Sequence, residues 1–275
     1  MRAIMAILKR NLTNFVRDKL KLIFTIFMSI FFLFIFSFVM KGATEGIDNP
    51  MNYLISGIII MQVFQTALAN STNILEDIAM GVMKEIIVSP ISRWQISIGQ
   101  VLSSTVIAVA QSLIVILIGL FMGLRINIFQ FIEMLGVMVA VGATFSSLGL
   151  YVATLAKSST TFQVMINVVM LPFTFLSGAY IPTTSMPKIL LPFVYINPLT
   201  YTTAIFRFIT LKMGSMSSAA LVKAGVAFNV NGFIIMPYMG LIIILTMGLL
   251  FFTLCVKQFN KSDFSNVKVF DPHDM

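Results

Sequence analysis

The charged residues of this chain that could do chemistry gather in one internal stretch. Between Glu76 and Gln100 stand Glu76, Asp77, Lys84, Glu85 and Arg93, with a glycine (Gly81), a Ser-Pro step (Ser89, Pro90) and the only tryptophan, Trp94. Catalysis is not what this set suits. No H-E-x-x-H helix, G-x-S-x-G elbow or G-x-x-x-x-G-K-[ST] phosphate loop occurs anywhere in the chain. The chemistry it suits is contact. Ile74, Ile78, Val82 and Ile86 form one apolar face, and Met80, Met83 and Ile87 leave apolar groups on the other. A short helix of that kind packs on a membrane or bundle with one face and on another protein with the other. Pro90 ends it. Ser92 with Gln95 three residues later forms a capping box, so a separate helix begins at Trp94.

A second polar set lies in apolar surroundings. Gln62, Gln65, Thr66 and Asn70 recur at helical spacing, and Asn167 stands alone in a later apolar run. Gln100, Ser104 and Gln111 share a face of another run. Amides in hydrocarbon need partners. They could line a substrate path, mark a subunit seam, or bond one helix to the next. Glu133 is the only carboxylate close to a span and reads as an interfacial anchor, so an ion-driven transporter lacks its usual charged relay. The single cysteine, Cys255, forms no intramolecular disulfide. With a single histidine, His273, there are too few ligands for a His/Cys metal site. Neither a cofactor nor a metal is expected on this chain.

The elements that must position these residues are set by composition. The chain has 275 residues, 58% hydrophobic and 10% charged, where a soluble domain carries about 25% charged. It is therefore read as an integral membrane protein. Cations flanking spans account for the net charge of +8 without nucleic acid. Six runs are long enough to cross a bilayer: 20–40, 51–74, 94–122, 129–155, 162–180 and 233–256. The expected architecture is an all-α bundle of six transmembrane helices. Residues 1–19 precede it as an amphipathic interfacial helix, with Ile4, Ile7, Leu8, Leu12 and Phe15 on one face and Arg2, Lys9, Arg10 and Arg17 on the other. With the N-terminus inside, the outer segments hold Lys41, Arg125, Lys188, Arg207, Lys212 and Lys223. The other twelve of the 18 Lys and Arg lie inside, which favours two cytoplasmic termini. Residues 187–211 hold two apolar helices too short to cross. Pro187 opens the first and Asn197-Pro198 the second, where Asn caps and Pro suits the first helical position. The pair reads as a re-entrant hairpin on the outer side.

Two motifs resemble those of the ABC-2 type, or type-2, ABC exporter permeases. The run GVMKEIIVSPISRWQISIGQVL is similar to that family's cytoplasmic loop: a glycine (Gly81) begins a short helix, then come a Ser-Pro-Ile step (Ser89, Pro90, Ile91) and an Arg (Arg93). The run LSGAYIPTTSMPKILLPFVYINPLTYTTAIFR, from Leu176 to Arg207, is similar to its C-terminal signature and carries Tyr201 within N-P-L-T-Y. The resemblance implies that residues 75–90 are a coupling helix, with Asp77, Gly81, Lys84, Glu85, Pro90 and Arg93 at the contact with a separate cytoplasmic ATPase. It implies two ATPase copies that bind ATP and Mg, a second permease subunit, and an outer hairpin that caps the exit. Lys84 stands where many members carry Glu, with Glu85 next. That form looks closer to the drug- and antibiotic-export branch than to the polysaccharide branch.

Overall fold

In lipid, apolar side chains gain little by leaving acyl chains for protein, so close packing and polar bonds decide which helices associate. The computed structural model describes residues 2–43, 50–79, 91–156, 158–230 and 232–261. Their helices are α1 (Arg2–Arg17), α2 (Lys19–Ala43), α3 (Pro50–Ala69), α4 (Thr72–Ala79), α5 (Arg93–Phe121), α6 (Ile128–Leu155), α7 (Ser159–Leu176), α8 (Leu191–Ile196), α9 (Pro198–Thr210), α10 (Ser218–Lys223) and α11 (Pro237–Lys261). Gly81, Lys84, Glu85 and Pro90 of the expected coupling helix lie outside the described residues.

Among the described residues five helical segments are long and apolar enough to cross a membrane: Asn52–Leu75, Arg93–Phe121, Ile128–Leu155, Ser159–Leu176 and Pro237–Phe259. The pair expected as an outer hairpin, Lys188–Ile196 with Pro198–Thr210, bends by 86° at Asn197 and passes the same test only as a pair. α2 coincides with the first expected span, and its apolar stretch runs from Leu22 to Ile35.

Local chemistry explains most boundaries. The Gln95 side chain accepts from the Ser92 N–H at 3.3 Å and opens α5. Asn127 and Gln130 cap α6 reciprocally, at 2.8 and 3.0 Å. The second expected span is a helix broken at Asn70–Ser71, which splits α4 from α3. The sixth begins later than its apolar run implied. Phe233–Ile235 is an antiparallel β-strand paired with Phe228–Val230, so the described residues are helical with one short hairpin. Gly232 has φ of +86° there, and the Asn229 side chain accepts from its N–H at 3.0 Å. Pro237 then starts α11 where a missing N–H costs nothing.

α3 is the central helix. Its span is 83% buried, against 17% for α7 and α11. It packs against α2, α5, α6 and α9, and α11 lies along α6. Phe64 of α3 meets Phe145 of α6 edge to face at 4.6 Å, a favoured aromatic geometry.

Candidate functional site

Two polar clusters stand at opposite ends of the α3–α4 segment. The first joins α1, α4 and α5. Arg10 Nη2 donates to Asp77 Oδ2 at 2.5 Å, the one salt bridge among the described residues. Asn11 Nδ2 donates to Gln100 Oε1 at 2.7 Å and to Ser103 Oγ at 2.8 Å. Gln100 Nε2 reaches Asp77 Oδ2 at 3.5 Å. Asp77 is 7% exposed and Asn11 is 3% exposed. Burial pushes the Asp77 carboxyl above its ordinary value, against the opposing Arg10 charge and the hydrogen bonds from Arg10 and Gln100. Nearby, Arg93 donates to the Phe259 carbonyl and ties the start of α5 to the end of α11.

Asp77 was expected on a partner-facing surface; its side chain is turned into the bundle. Arg10 was expected to face headgroups or water. It turns to Asp77 because a carboxylate this buried is costly without a counterion.

The polar stripe of α3 lies between the clusters. Gln62 Nε2 donates to Thr66 Oγ1 at 2.9 Å, Thr66 to Gln111 Oε1 at 2.7 Å, and Gln111 Nε2 to Thr25 Oγ1 at 3.3 Å. The chain of bonds runs from α3 through α5 to α2. Gln65 is half-buried in the same stripe, and Asn70 is buried. Asn167 is not brought to this set; it sits on the exposed face of α7. The stripe bonds helix to helix. A separate groove of about 210 Å³ lies between α5, α6 and α11, lined by Val101, Thr144, Ser147, Leu245, Gly248 and Phe252 among others.

The second cluster is built on Arg207 of α9. It is 1% exposed. Its Nη1 donates to Tyr53 Oη and to the Gly178 carbonyl, and its Nη2 to the Ala179 carbonyl, each at 2.7 Å. Its guanidinium carbon lies 3.4 Å from the Tyr53 ring centroid, a cation–π contact. Gly178 has φ of +80°, and this turn presents both carbonyls to the cation. Gly57 of α3 makes room for it: a Cβ there would lie 2.3 Å from the Ala179 carbonyl oxygen.

The rest of the hairpin is held in the same manner. Asn197 Oδ1 accepts from the Leu199 N–H at 3.0 Å, while its Nδ2 donates to the Phe173 carbonyl at 2.9 Å. Thr200 donates to the Leu176 carbonyl at 3.2 Å. These bonds satisfy carbonyls that the end of α7 leaves without intrahelical partners. Tyr201 donates to the Tyr195 carbonyl at 2.6 Å. Pro187 precedes a 3₁₀ turn at Lys188–Leu190.

These two clusters fall within a match to the family model for ABC-2 type transporters, which covers residues 2–211. The chain belongs to the ABC-2 type transporter family. It is 29% identical over 155 residues to a probable multidrug ABC transporter permease, YbhR, of Escherichia coli K12. That match covers 54% of this chain and spans 40% of the length of the E. coli protein. Against the transport permease ycf38 of Cyanophora paradoxa it is 26% identical over 239 residues, covering 82% of this chain and 79% of the relative.

Within this member of the ABC-2 type transporter family the Leu176–Arg207 signature has a physical account. Gly178, Ala179, Asn197, Thr200 and Arg207 are the donors and acceptors that fasten the hairpin to α3 and to the end of α7. Sequence reading counted Arg207 among outer loop cations and missed this role. A signal was present: Ala204, Ile205, Phe206, Phe208 and Ile209 surround it with apolar groups on every side of the helix.

Proposed function

We propose that this ABC-2 permease is the membrane subunit of an ATP-driven exporter in the plasma membrane. Both termini are cytoplasmic. The chain pairs with a second permease subunit, an identical copy, and each docks a cytoplasmic ATPase that binds ATP and Mg. The cargo is a hydrophobic or amphipathic small molecule, drug- or antibiotic-like, moved outward past the hairpin.

The observation that carries this reading is the Arg10–Asp77–Gln100 cluster. It binds the end of α4, from which residues 80–90 lead to α5, to both the N-terminal helix and a spanning helix. A push on residues 80–90 therefore reaches α1 and α5 together. Asp77 acts from inside this joint, leaving contact with the ATPase to Gly81, Lys84 and Glu85, and the turn into α5 to Pro90 and Arg93. The nearly wholly apolar lining of the groove between α5, α6 and α11 supports an apolar cargo.

The test is to purify the chain with its ATPase, reconstitute the complex, and measure ATP hydrolysis against a panel of drugs, lipid-linked glycans and ions. Stimulation by amphipathic drugs, lost on replacing Gly81 or Glu85, is the expected result. Stimulation only by a glycan or an ion would replace the cargo assignment. If no ATPase co-purifies and Gly81 and Glu85 are dispensable, the chain is a membrane scaffold.

A further inference from the structure

α1 uses one face for the bundle and keeps a second face that no described residue covers. Ile7 and Asn11 are buried against α5, where Asn11 meets Gln100 and Ser103. On a helical wheel of about 100° per residue, Lys9, Thr13, Val16 and Arg17 fall on the side opposite Asn11, and Leu12, expected on the face away from Lys9 and Arg17, lies at its edge beside them. These five residues line a groove of about 350 Å³.

The face is not an ordinary solvated one. Met5 is 62% exposed, Val16 63% and Leu20 81%. They form a stripe with Leu12, and Lys9 and Arg17 stand beside it. Exposed apolar residues continue along the chain into Ile23, Phe24 and Phe27 of α2, the first expected span. α1 itself contains no Asp or Glu. Neither Lys9 nor Arg17 is paired with a carboxylate among the described residues. Asp18 follows the helix and does not line the groove.

Apolar groups that lead along the chain into an expected span, flanked by unneutralised cations, match one ligand: a molecule with an anionic head and a hydrocarbon tail. We propose that this face of α1 binds an anionic phospholipid, with Lys9 and Arg17 on the phosphate and Leu12 and Val16 against an acyl chain. Because Arg10, on the same helix, holds Asp77, the lipid also fixes the helix that anchors α4. This deepens the permease reading and rests on it only for the leaflet concerned. Binding itself is read without nucleotide or cargo, so failure of transport does not touch it.

The experiment is native mass spectrometry of the full chain in detergent, titrated with phosphatidylglycerol or phosphatidylcholine. The parent retains phosphatidylglycerol preferentially. Each cation near an anionic headgroup contributes about five-fold in affinity, so the double variant Lys9→Gln, Arg17→Gln loses on the order of twenty-fold. Val16→Ser weakens both lipids, whereas Lys188→Gln, an exposed cation on the hairpin, changes neither. The melting temperature of each variant confirms that it is folded. Equal retention of the two lipids by the parent, or undiminished preference in the double variant, overturns the proposal. So does a double variant that keeps its phosphatidylglycerol but no longer holds the ATPase, since the face would then belong to a protein.

Discussion

Arg10 and Arg207 hold opposite ends of the same α3–α4 segment, and they do it with different acceptors. Arg10 is about a third exposed and pairs with a carboxylate, within a set of side chains that includes Asn11 and Gln100. Arg207 is buried with no carboxylate, and two of its three acceptors are backbone carbonyls. Side chains can re-pair with water or with one another as helices shift. Backbone carbonyls at a fixed turn cannot. On that difference the α1–α4–α5 end is expected to give way more easily than the hairpin end. The proposed drive through the segment that follows α4 would need the first, and the proposed cap over the exit would need the second.

Replacing the two arginines is the sharpest way to break this comparison. Arg207→Ala strands Tyr53 Oη and the Gly178 and Ala179 carbonyls in the bundle. Leaving buried acceptors unpaired costs about 1–3 kcal/mol apiece, and Arg207 serves three of them. The expected outcome is a large drop in melting temperature in detergent, or failure to accumulate. Arg10→Ala leaves Asp77 to take up a proton or turn to Gln100 and water, at a cost of about 1–2 kcal/mol. If the two variants lose equal stability, the contrast is wrong.

Two milder changes probe the Arg207 clamp alone. Gly57→Ala places a methyl group on the Ala179 carbonyl, and overpacking of this sort costs about 1–3 kcal/mol. It should weaken the clamp without touching a polar group, and thermal unfolding reads it. Tyr53→Phe removes one hydrogen bond but keeps the ring under the guanidinium. The expected loss is about 1 kcal/mol, smaller than for Gly57→Ala. A larger loss would make the hydroxyl, and not the carbonyl pair, the main acceptor.

The contrast also separates what was legible in the sequence from what was not. The Ser92–Gln95 cap, the Asn197-Pro198 start and the amphipathic α1 are local, so spacing rules reached them. Arg10 and Asp77 lie 67 residues apart, and no local pattern pairs them. Arg207 was misread for another reason. Counting cations between spans treats each one as a loop charge, whereas here the connection itself folds back into protein. Apolarity alone places Phe233–Met236 in the last span, although Gly232 and Pro237 bracket it as a turn and a helix start.

The smallest effect on stability, and the most informative for function, is expected at Asp77. Its carboxyl is held above the ordinary value of 3.8, with burial as the largest cause. The folded state therefore binds this proton more tightly than the unfolded state. Its contribution to stability is fully present below pH 3.8 and is lost as pH rises through the higher folded value. At neutral pH the buried charge is a net cost that Arg10 offsets only in part. Asp77→Asn removes that cost, keeps a hydrogen-bonding group beside Gln100, and frees a partly exposed arginine to reach water. Its stability should lie within about 1 kcal/mol of the parent at neutral pH, and the parent's loss of stability with rising pH in this window should flatten. If the inner cluster transmits motion, cargo-stimulated ATP hydrolysis by the reconstituted complex falls in this variant even though its melting temperature holds. If both are unchanged, the Arg10–Asp77 pair is only a structural contact, and the mobile end of the molecule must be sought at Arg93 and Phe259.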